Sequence, residues 1–320
     1  MSMAGAPSVP VGRSFTTERK DWASILFTGL TGFATLLILG LLAVVLGYIL
    51  VQGLPLVSWH FLTGGTANDM FDVKQAGVFP MLVGTAARVI LMTIFVIPVG
   101  VITAIYLSEY ARNSSWLTRV IRSAVNNLAG VPSIVFGLFG LGFFINFMGG
   151  SIDTMMNASG PQWGQPAIIW ASLTLAVMTL PVVIVATEES LRAIPNGLRE
   201  ASLALGATKL ETVIKIVLPQ ALPGIMTGGI LAVGRASGEV APILFTGVSY
   251  YMGHLPQSLN DQFMDLGYHI FVLCTQSPNI EKTRPIAYAT VVVLLMLTLA
   301  LNLVAIIIRA RIRKKMRLLH

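Results

Sequence analysis

The sequence predicts an all-α integral membrane protein with six transmembrane helices. Apolar residues make up 55% of the chain and charged residues only 11%, whereas a soluble domain carries about 25% charged residues. The apolar residues fall in long blocks, and a helix needs about 20 such residues to cross the hydrocarbon core of a bilayer. Isolated strands are excluded, because their backbone groups would stay unpaired in lipid.

The first predicted span, residues 25–51, contains no charged residue. The segment before it is polar, and no small-residue cleavage site follows a short apolar region. This pattern favours an uncleaved membrane helix over a removed signal peptide. The other five spans are predicted at about 84–107, between 122 and 153, at about 166–187, at about 220–248 and at 285–308.

The distribution of basic residues predicts that both termini are cytoplasmic. With this orientation, sixteen of the 21 Lys and Arg lie inside, three lie outside and two lie within spans. Lys and Arg in short loops mark the cytoplasmic side. The sixteen are Arg13, Arg19, Lys20, Arg112, Arg119, Arg122, Arg192, Arg199, Lys209, Lys215, Arg309, Arg311, Arg313, Lys314, Lys315 and Arg317. The asymmetry explains the net charge of +7 by contact with lipid headgroups rather than with nucleic acid.

These spans define the predicted domain organisation. Residues 1–24 form a cytoplasmic segment, residues 25–308 form the six-helix membrane domain, and residues 309–320 form a basic cytoplasmic tail. Two outside loops, 52–80 and 249–284, are too short to be separate receptor domains. The second is expected to contain a short helix that lies at the surface.

The stretch between spans four and five is predicted to form two short helices on the cytoplasmic side. Asn196 can cap the first helix, which ends near Gly206. Thr208 and Glu211 have the spacing of a capping box, and Glu211 and Lys215 form a favourable i, i+4 pair. Composition leaves two interpretations open: an interfacial amphipathic segment, or a rigid helix that docks into a groove of a soluble partner.

The spacing of this stretch resembles the EAA loop of ABC importer permeases. Glu200, Ala201 and Ser202, then Gly206, then "IVLP" at 216–219, follow the pattern E-A-A, three residues, G, nine residues, I-x-L-P. Ser202 is the one departure. The resemblance implies the type I ABC importer transmembrane-domain fold. It also implies a coupling loop, residues 188–219, in which Glu200, Ala201, Ser202 and Gly206 contact a separate ATPase subunit.

The chain shows no chemistry of its own for hydrolysing ATP. No G-x-x-x-x-G-K-[ST] phosphate-binding loop occurs in it. The four histidines are scattered, and the single cysteine, Cys274, is expected to be a buried and inert thiol. We therefore expect a permease subunit rather than an enzyme, with no catalytic residues, no metal and no cofactor.

Further stretches resemble the phosphate ABC transporter permease family, PstA type. They are "AGVFPMLVGT", "GVITAIYLSEYA", "NNLAGVPSIVFGLFG", "TEESLRAIP" and "GEVAPILFTG", and the resemblance covers about residues 75–308. Val240 departs from the family, which usually has Thr after Gly-Glu. The resemblance implies ATP-driven import of inorganic phosphate across a bacterial plasma (inner) membrane. The implied partners are an ATPase subunit (PstB type), a sister permease (PstC type) and an external phosphate-binding protein (PstS type).

Two alternatives to this function stay open. One is an ABC permease for another oxyanion, such as phosphonate, sulfate or molybdate. The other is a secondary transporter or membrane scaffold without an ATPase.

Two charges within span five predict a phosphate pathway. Arg235 and Glu239 are four residues apart and are expected on one helix face, with Gly234 and Gly238 forming a neighbouring small face that a second helix can approach. Charged residues within spans usually face an aqueous pathway or the bundle interior, and the planar guanidinium suits phosphate oxygens. The alternative is a structural ion pair. The resemblance also implies functional charges at these two positions.

Arg88 is the other charge within a span, near the outer end of span two. One interpretation is that its side chain reaches the lipid headgroups. The other is that it lines an outer vestibule on the phosphate pathway.

Overall fold

Helices provide nearly all of the regular structure in the computed structural model, which describes residues 22–65, 71–72, 75–112, 114–158 and 160–317, with side chains to residue 314. Most of the predicted N-terminal segment and the end of the basic tail lie outside the described residues. Within the described ranges one isolated β-bridge joins Val248 and Phe263, and no sheet forms.

Six helices of the described chain are long and apolar enough to cross a membrane. They are Trp22–Leu56, Phe79–Tyr110, Ser133–Met155, Ile168–Arg192, Lys209–Ser237 and Ile280–Lys314. Each overlaps one of the six predicted spans, so the predicted six-helix architecture is confirmed.

The α-helical segments are numbered in chain order, and three π-helical turns connect some of them. The α-helices are α1 (Trp22–Gly53), α2 (Trp59–Thr63), α3 (Phe79–Ile105), α4 (Trp116–Leu128), α5 (Ser133–Phe139), α6 (Gly150–Met155), α7 (Ile168–Arg192), α8 (Asn196–Ala204), α9 (Lys209–Thr212), α10 (Leu218–Ser237), α11 (Leu266–Thr275) and α12 (Ile280–Arg317). The π turns are Tyr106–Tyr110, Gly140–Gly149 and Val213–Val217.

The contacts divide the chain into two units, residues 1–48 and 49–320. The described part of the first unit is a helix whose apolar side chains are nearly all exposed, as lipid contact requires. In the second unit α7 is the central helix. Of the residues in its most apolar stretch, 72% are buried, against 11% for α12. Helix α7 packs against both α3 and α10.

The predicted third span is two helices rather than one. Residues 116–128 form the amphipathic helix α4, and the membrane span begins only at Ser133. The chain breaks between them because Pro132, which occupies the N-cap position of α5, disfavours helical backbone at the residue before it. Charged and amide side chains on α4 also keep it from being a spanning segment.

Span five also differs from its predicted bounds. The helix ends at Ser237, with Gly238 as its C-cap, whereas the prediction extended it to residue 248. Residues 241–247 form turns, in accord with Pro242, which has no N–H to donate. At the other end, α9 continues through a π turn into α10, so the predicted second short helix is the start of the span. The π turn ends two residues before Pro219, whose missing N–H interrupts α-helical bonding.

The loop before α12 folds back against the membrane domain, where its backbone carbonyls at Asp261 and Leu259 accept the N–H groups of Ile168 and Ile169. Asp261 in this loop accepts the backbone N–H groups of Gln257 (2.8 Å) and Ser258 (3.0 Å), and the Gln257 bond contributes most to holding the pKa of that carboxyl below its usual value. The predicted short helix exists as α11, and only one face of it lies at the surface, with Phe271 and Cys274 exposed. Leu266 and Leu273 are buried, and α11 packs on α12.

The single cysteine tests the predicted orientation. Cys274, in the last turn of α11, is exposed rather than buried as expected. If the termini are cytoplasmic, this thiol faces outward, and a membrane-impermeant maleimide is expected to label it in intact cells. A Cys274→Ser, Lys215→Cys variant moves the thiol to an exposed position in the predicted coupling loop (residues 188–219, hereafter the insert). This thiol should react only after permeabilisation. The reverse labelling pattern would mean that the termini are outside.

Candidate translocation site and coupling surface

A buried ion pair lies against the last residues of α10. Arg88 on α3 and Asp265 are both fully buried, and the Arg88 Nε donates to Asp265 Oδ2 at 2.6 Å. The remaining guanidinium nitrogens donate to backbone carbonyls: Nη1 to Ala236 at 2.9 Å and Nη2 to Ser237 at 3.1 Å. Thr85, one helical turn from Arg88, donates its hydroxyl to the same carboxylate at 2.9 Å.

This arrangement solves a problem that an interrupted membrane helix creates. The last carbonyls of a helix have no partner within the helix, and unsatisfied backbone groups are costly in the membrane interior. Arg88 supplies donors to two of these carbonyls. Asp265 is the N-cap of α11, where it accepts the N–H of Tyr268 at 3.2 Å, so one ion pair closes the end of α10 and the start of α11.

Neither sequence-based interpretation of Arg88 agrees with the structure. The side chain is 0% exposed, so it neither reaches headgroups nor lines an exposed vestibule. Its donors are engaged by Asp265 and the two carbonyls, which makes it a structural residue in this conformation.

Close approach of the backbone makes the buried pair possible. At Gly84, one residue before Thr85, an added Cβ would collide with the carbonyl oxygen of Met264. A side chain at this position would separate α3 from the segment that carries Asp265. The glycine therefore allows residues 84–88 and 264–265 to form one packed unit.

Arg235 and Glu239 lie together at the end of the same helix. The Arg235 Nε is 3.9 Å from the Glu239 Oε1, and the two side chains are 44% and 25% exposed. Arg235 lies in the last turn of α10, but Glu239 follows the helix, so the expectation that both lie on one helix face is wrong. The distance is too long for a hydrogen bond, and no hydrogen bond from Arg235 is found within the described ranges. This guanidinium therefore has donors available for an anion.

The predicted small face does not form as a pair. A Cβ at Gly234 would lie 3.5 Å from the Nδ2 of Asn302 on α12, whereas a Cβ at Gly238 would meet nothing within 4 Å. Only Gly234 thus faces a second helix. The Asn302 Oδ1 is buried and lacks a hydrogen-bond partner in the described part of the chain.

The residues predicted for ATPase coupling lie on and just after α8. Glu200 and Ala201 are exposed, whereas Ser202 is half-buried and shares a hydroxyl contact of 2.9 Å with Thr212. Gly206 has a φ of +87°, the left-handed conformation that favours glycine at helix ends, so the predicted stop is confirmed. Leu205, beside it, is 90% exposed.

The capping predictions for this insert have a mixed outcome. The capping box between Thr208 and Glu211 is present, and the Lys215 Nζ lies 3.2 Å from Glu211. The N-cap of α8 is Pro195 rather than Asn196, which is the first helical residue.

The two candidate regions lie at opposite ends of one helical rod. The segment Lys209–Ser237 has 29 residues, which at a rise of about 1.5 Å per residue spans roughly 43 Å. Arg235 is at one end, and the insert with Glu200 and Gly206 is at the other. The structure thus keeps the two predicted sites apart and joins them by a continuous helix.

Comparison with known proteins identifies the family. A family model described as "Binding-protein-dependent transport system inner membrane component" matches residues 96–318. The chain belongs to this family. Its members are inner-membrane components of transport systems, so this chain is a permease-type membrane subunit rather than an enzyme.

Named relatives of this permease come from several bacteria. The chain is 35% identical over 221 residues to the "Probable ABC transporter permease protein YqgI" of Bacillus subtilis, covering 69% of each chain. It is 34% identical over 241 residues to the "Phosphate transport system permease protein PstA" of Yersinia pestis, covering 75% of each. It is 37% identical over 186 residues to "PstA 1" of Mycobacterium tuberculosis (strain CDC 1551 / Oshkosh), matching 58% of this chain and 55% of that relative.

Solved structures share the fold of this permease. A bacterial alginate ABC transporter chain superposes with a TM-score of 0.61 at 15% identity, covering 90% of this chain and 93% of that one. A chain of the MetNI methionine ABC transporter gives a TM-score of 0.50 at 21% identity, covering 74% and 94%. The predicted type I ABC importer transmembrane-domain fold is confirmed.

Two residues of the permease were missed by sequence reasoning although they carried a signal. Asp265 is an acidic residue directly before a predicted apolar helix, which is typical of an N-cap, and it offered a partner for the isolated charge of Arg88. Asn302 is an amide within an otherwise apolar span. No spacing rule relates Asp265 to Arg88, because 177 positions separate them.

Breaking the buried pair is expected to destabilise the permease. Asp265→Leu leaves the Arg88 charge buried without its partner, which typically costs about 3–5 kcal/mol. The double variant Arg88→Leu, Asp265→Leu removes both charges and should recover part of that loss. Thermal denaturation in detergent measures both effects, with Lys215→Ala, which breaks an exposed pair, as a control expected to match the parent. Full stability of Asp265→Leu would contradict this role for the pair.

Proposed function

We propose that this chain is the permease subunit of an ABC importer for inorganic phosphate, forming the translocation path and coupled to a separate ATPase subunit. Family membership supports an importer that works with a substrate-binding protein and an ATPase. The relatives named as phosphate transport permeases of the PstA type support the substrate.

The observation that carries the proposal is the half-exposed guanidinium of Arg235. A charge within a membrane span is costly and usually serves a pathway. Arg88 already satisfies the last carbonyls of α10, so Arg235 is not needed to close that helix. Its planar donors match the geometry of phosphate oxygens, and its separation of 3.9 Å from Glu239 leaves them available.

Glu239 has a complementary role in this proposal. When the path is empty, its carboxylate offsets the charge of Arg235 and reduces the cost of keeping that charge in the membrane. When hydrogen phosphate is present, the carboxylate accepts a hydrogen bond from the protonated oxygen of the anion. Sulfate at neutral pH carries no such proton, so Glu239 also favours phosphate over sulfate.

The coupling part of the proposal places α8, hereafter the coupling helix, against the ATPase subunit. Glu200, Ala201, Ser202 and Gly206 resemble the EAA motif, and the exposure of Glu200, Ala201 and Leu205 supports a docking surface. ATP-driven changes in the ATPase move this helix and switch the path between outward and inward access. The ATPase can drive this switch only if its two states bind the helix differently.

The finer assignment of partners follows the PstA resemblance. We propose a PstB-type ATPase subunit, a PstC-type sister permease and an external PstS-type phosphate-binding protein, in a bacterial plasma (inner) membrane with both termini in the cytoplasm. Genes adjacent to this one are expected to encode those three proteins.

Phosphate uptake tests the role of Arg235. Arg235→Ala is expected to reduce uptake of radiolabelled phosphate to background while the complex still assembles. Arg235→Lys should also be impaired, because an ammonium group lacks the bidentate fork. Arg284→Ala, which removes another exposed arginine, is the control and should transport normally. Normal uptake by Arg235→Ala would refute the assignment.

Competition between anions tests the substrate. Excess unlabelled phosphate should displace the radiolabel, whereas phosphonate, sulfate and molybdate should have little effect at the same concentration. A stronger effect of one of these oxyanions would identify it as the substrate instead. Uptake by reconstituted vesicles that contain this chain alone, without nucleotide, would indicate a secondary transporter.

Co-purification tests the docking surface. Glu200→Ala combined with Gly206→Ala removes an exposed charge and forces a strained backbone at a φ of +87°. We expect the tagged permease to lose its ATPase partner while its own stability in detergent changes little. Lys215→Ala should retain the partner, and unchanged recovery in the double variant would place the docking surface elsewhere.

A further inference from the structure

Arg199 precedes Glu200 on the coupling helix, but its side chain points into the protein. The Nη1 donates to the carbonyl of Ile194 at 2.7 Å, and the Nη2 donates to the carbonyl of Leu191 at 2.7 Å. Leu191 belongs to the last turn of α7, and Ile194 follows that helix closely. The guanidinium therefore caps the end of α7, where the carbonyls have no helical partner.

The same guanidinium also holds the end of α3. The Nη2 lies 2.9 Å and the Nε 3.3 Å from the Oε1 of Glu109, which belongs to the π turn that follows α3. The two side chains are only 18% and 9% exposed. An ion pair with this little exposure, supported by two carbonyl bonds, is screened by solvent much less than a surface pair.

A second contact joins the same π turn to the insert. The ammonium group of Lys209 lies 5.0 Å from the ring centroid of Tyr110, within the range of a cation–π interaction. Lys209 is the first residue of α9, so the π turn is tied to both sides of the Gly206 stop. The hydroxyls of Ser202 and Thr212, in contact at 2.9 Å, join the two sides of that stop directly.

The neighbouring residues Arg199 and Glu200 therefore face opposite directions. Glu200 is exposed and available to a partner, whereas Arg199 is fixed to two membrane helices. A coupling helix that docked without such a tie would move against the spans instead of moving them. A lysine at this position has no planar fork, so it cannot bind both carbonyls and the Glu109 carboxylate in this geometry.

We propose that Arg199 is the positioning residue that makes the coupling helix, the end of α7 and the end of α3 move as one body, with Glu109 as its partner. This inference rests on the proposed function, since it takes α8 to be the surface that the ATPase moves. It assigns transmission to Arg199 and Glu109 and leaves docking to the EAA residues.

The test compares variants of the assembled complex in lipid nanodiscs. Arg199→Ala and Glu109→Gln should still co-purify with the ATPase and hydrolyse ATP at the basal rate. We expect both to lose most of the stimulation of hydrolysis by phosphate-loaded binding protein, by at least about tenfold for Arg199→Ala. Arg199→Lys should fall between Arg199→Ala and the parent, and Lys215→Ala, which breaks an exposed pair within one helix, should match the parent.

A second readout does not involve phosphate. A thiol at the exposed position Asn126 of α4 (Asn126→Cys in a Cys274→Ser background) reports movement beside α7, on which α4 packs. Its labelling is followed with and without a non-hydrolysable ATP analogue. We expect nucleotide to change the labelling rate in the parent and not in the Arg199→Ala background. If Arg199→Ala does not assemble, Glu109→Gln in the same background is measured instead.

The outcomes separate this inference from the proposed function. A parent complex that phosphate fails to stimulate contradicts the proposed substrate, while the nucleotide-dependent labelling still decides the role of Arg199. A normal nucleotide response in both Arg199→Ala and Glu109→Gln would overturn the inference. So would losses of coupling that simply add in the Arg199→Ala, Glu109→Gln double variant, because residues that act through one contact are not additive.

Discussion

The architecture around the candidate site depends on the ion pair between Arg88 and Asp265. Burying two charges is costly unless their donors and acceptors are satisfied, and here Thr85, two helix-end carbonyls and a helix N-terminus take part. This network lets α10 end within the membrane domain without exposing its carbonyls to lipid. Without it, the carbonyls of Ala236 and Ser237 would lack these donors. The helix end on which Arg235 lies would then not be stable.

Three arginines show how burial separates the roles of similar charges. Arg88 is completely enclosed and holds helices together, Arg199 is mostly enclosed and ties the coupling helix to two spans, and Arg235 is half-exposed with a distant partner. The sequence places Arg88 and Arg235 within apolar spans and Arg199 in the loop between spans four and five. Only the number of fixed partners indicates which guanidinium has donors left free.

Sequence reasoning was sufficient for features encoded over short distances. The six spans follow from length and hydropathy, and the Gly206 stop and the Thr208 capping box follow from local backbone chemistry. It failed for Arg88, because its partner Asp265 is remote along the chain and pairing between helices leaves no periodic signal. It also overextended span five, since apolar composition continues past Ser237 although Gly238 and Pro242 end the helix. The roles of Arg235, Glu239 and the EAA residues stay predictions.

The continuity of Lys209–Ser237 has a mechanical consequence. A stiff rod of about 43 Å converts a tilt of about 5° into a displacement of roughly 4 Å at its far tip. That distance exceeds the length of a hydrogen bond, so a small rotation at the α8 end of the rod is enough to move the Arg235 guanidinium into or out of hydrogen-bonding distance of a neighbouring group. The π turn at Val213–Val217 is the place where such a rod is most easily bent. The helical geometry there therefore sets how much of the displacement at one end reaches the other.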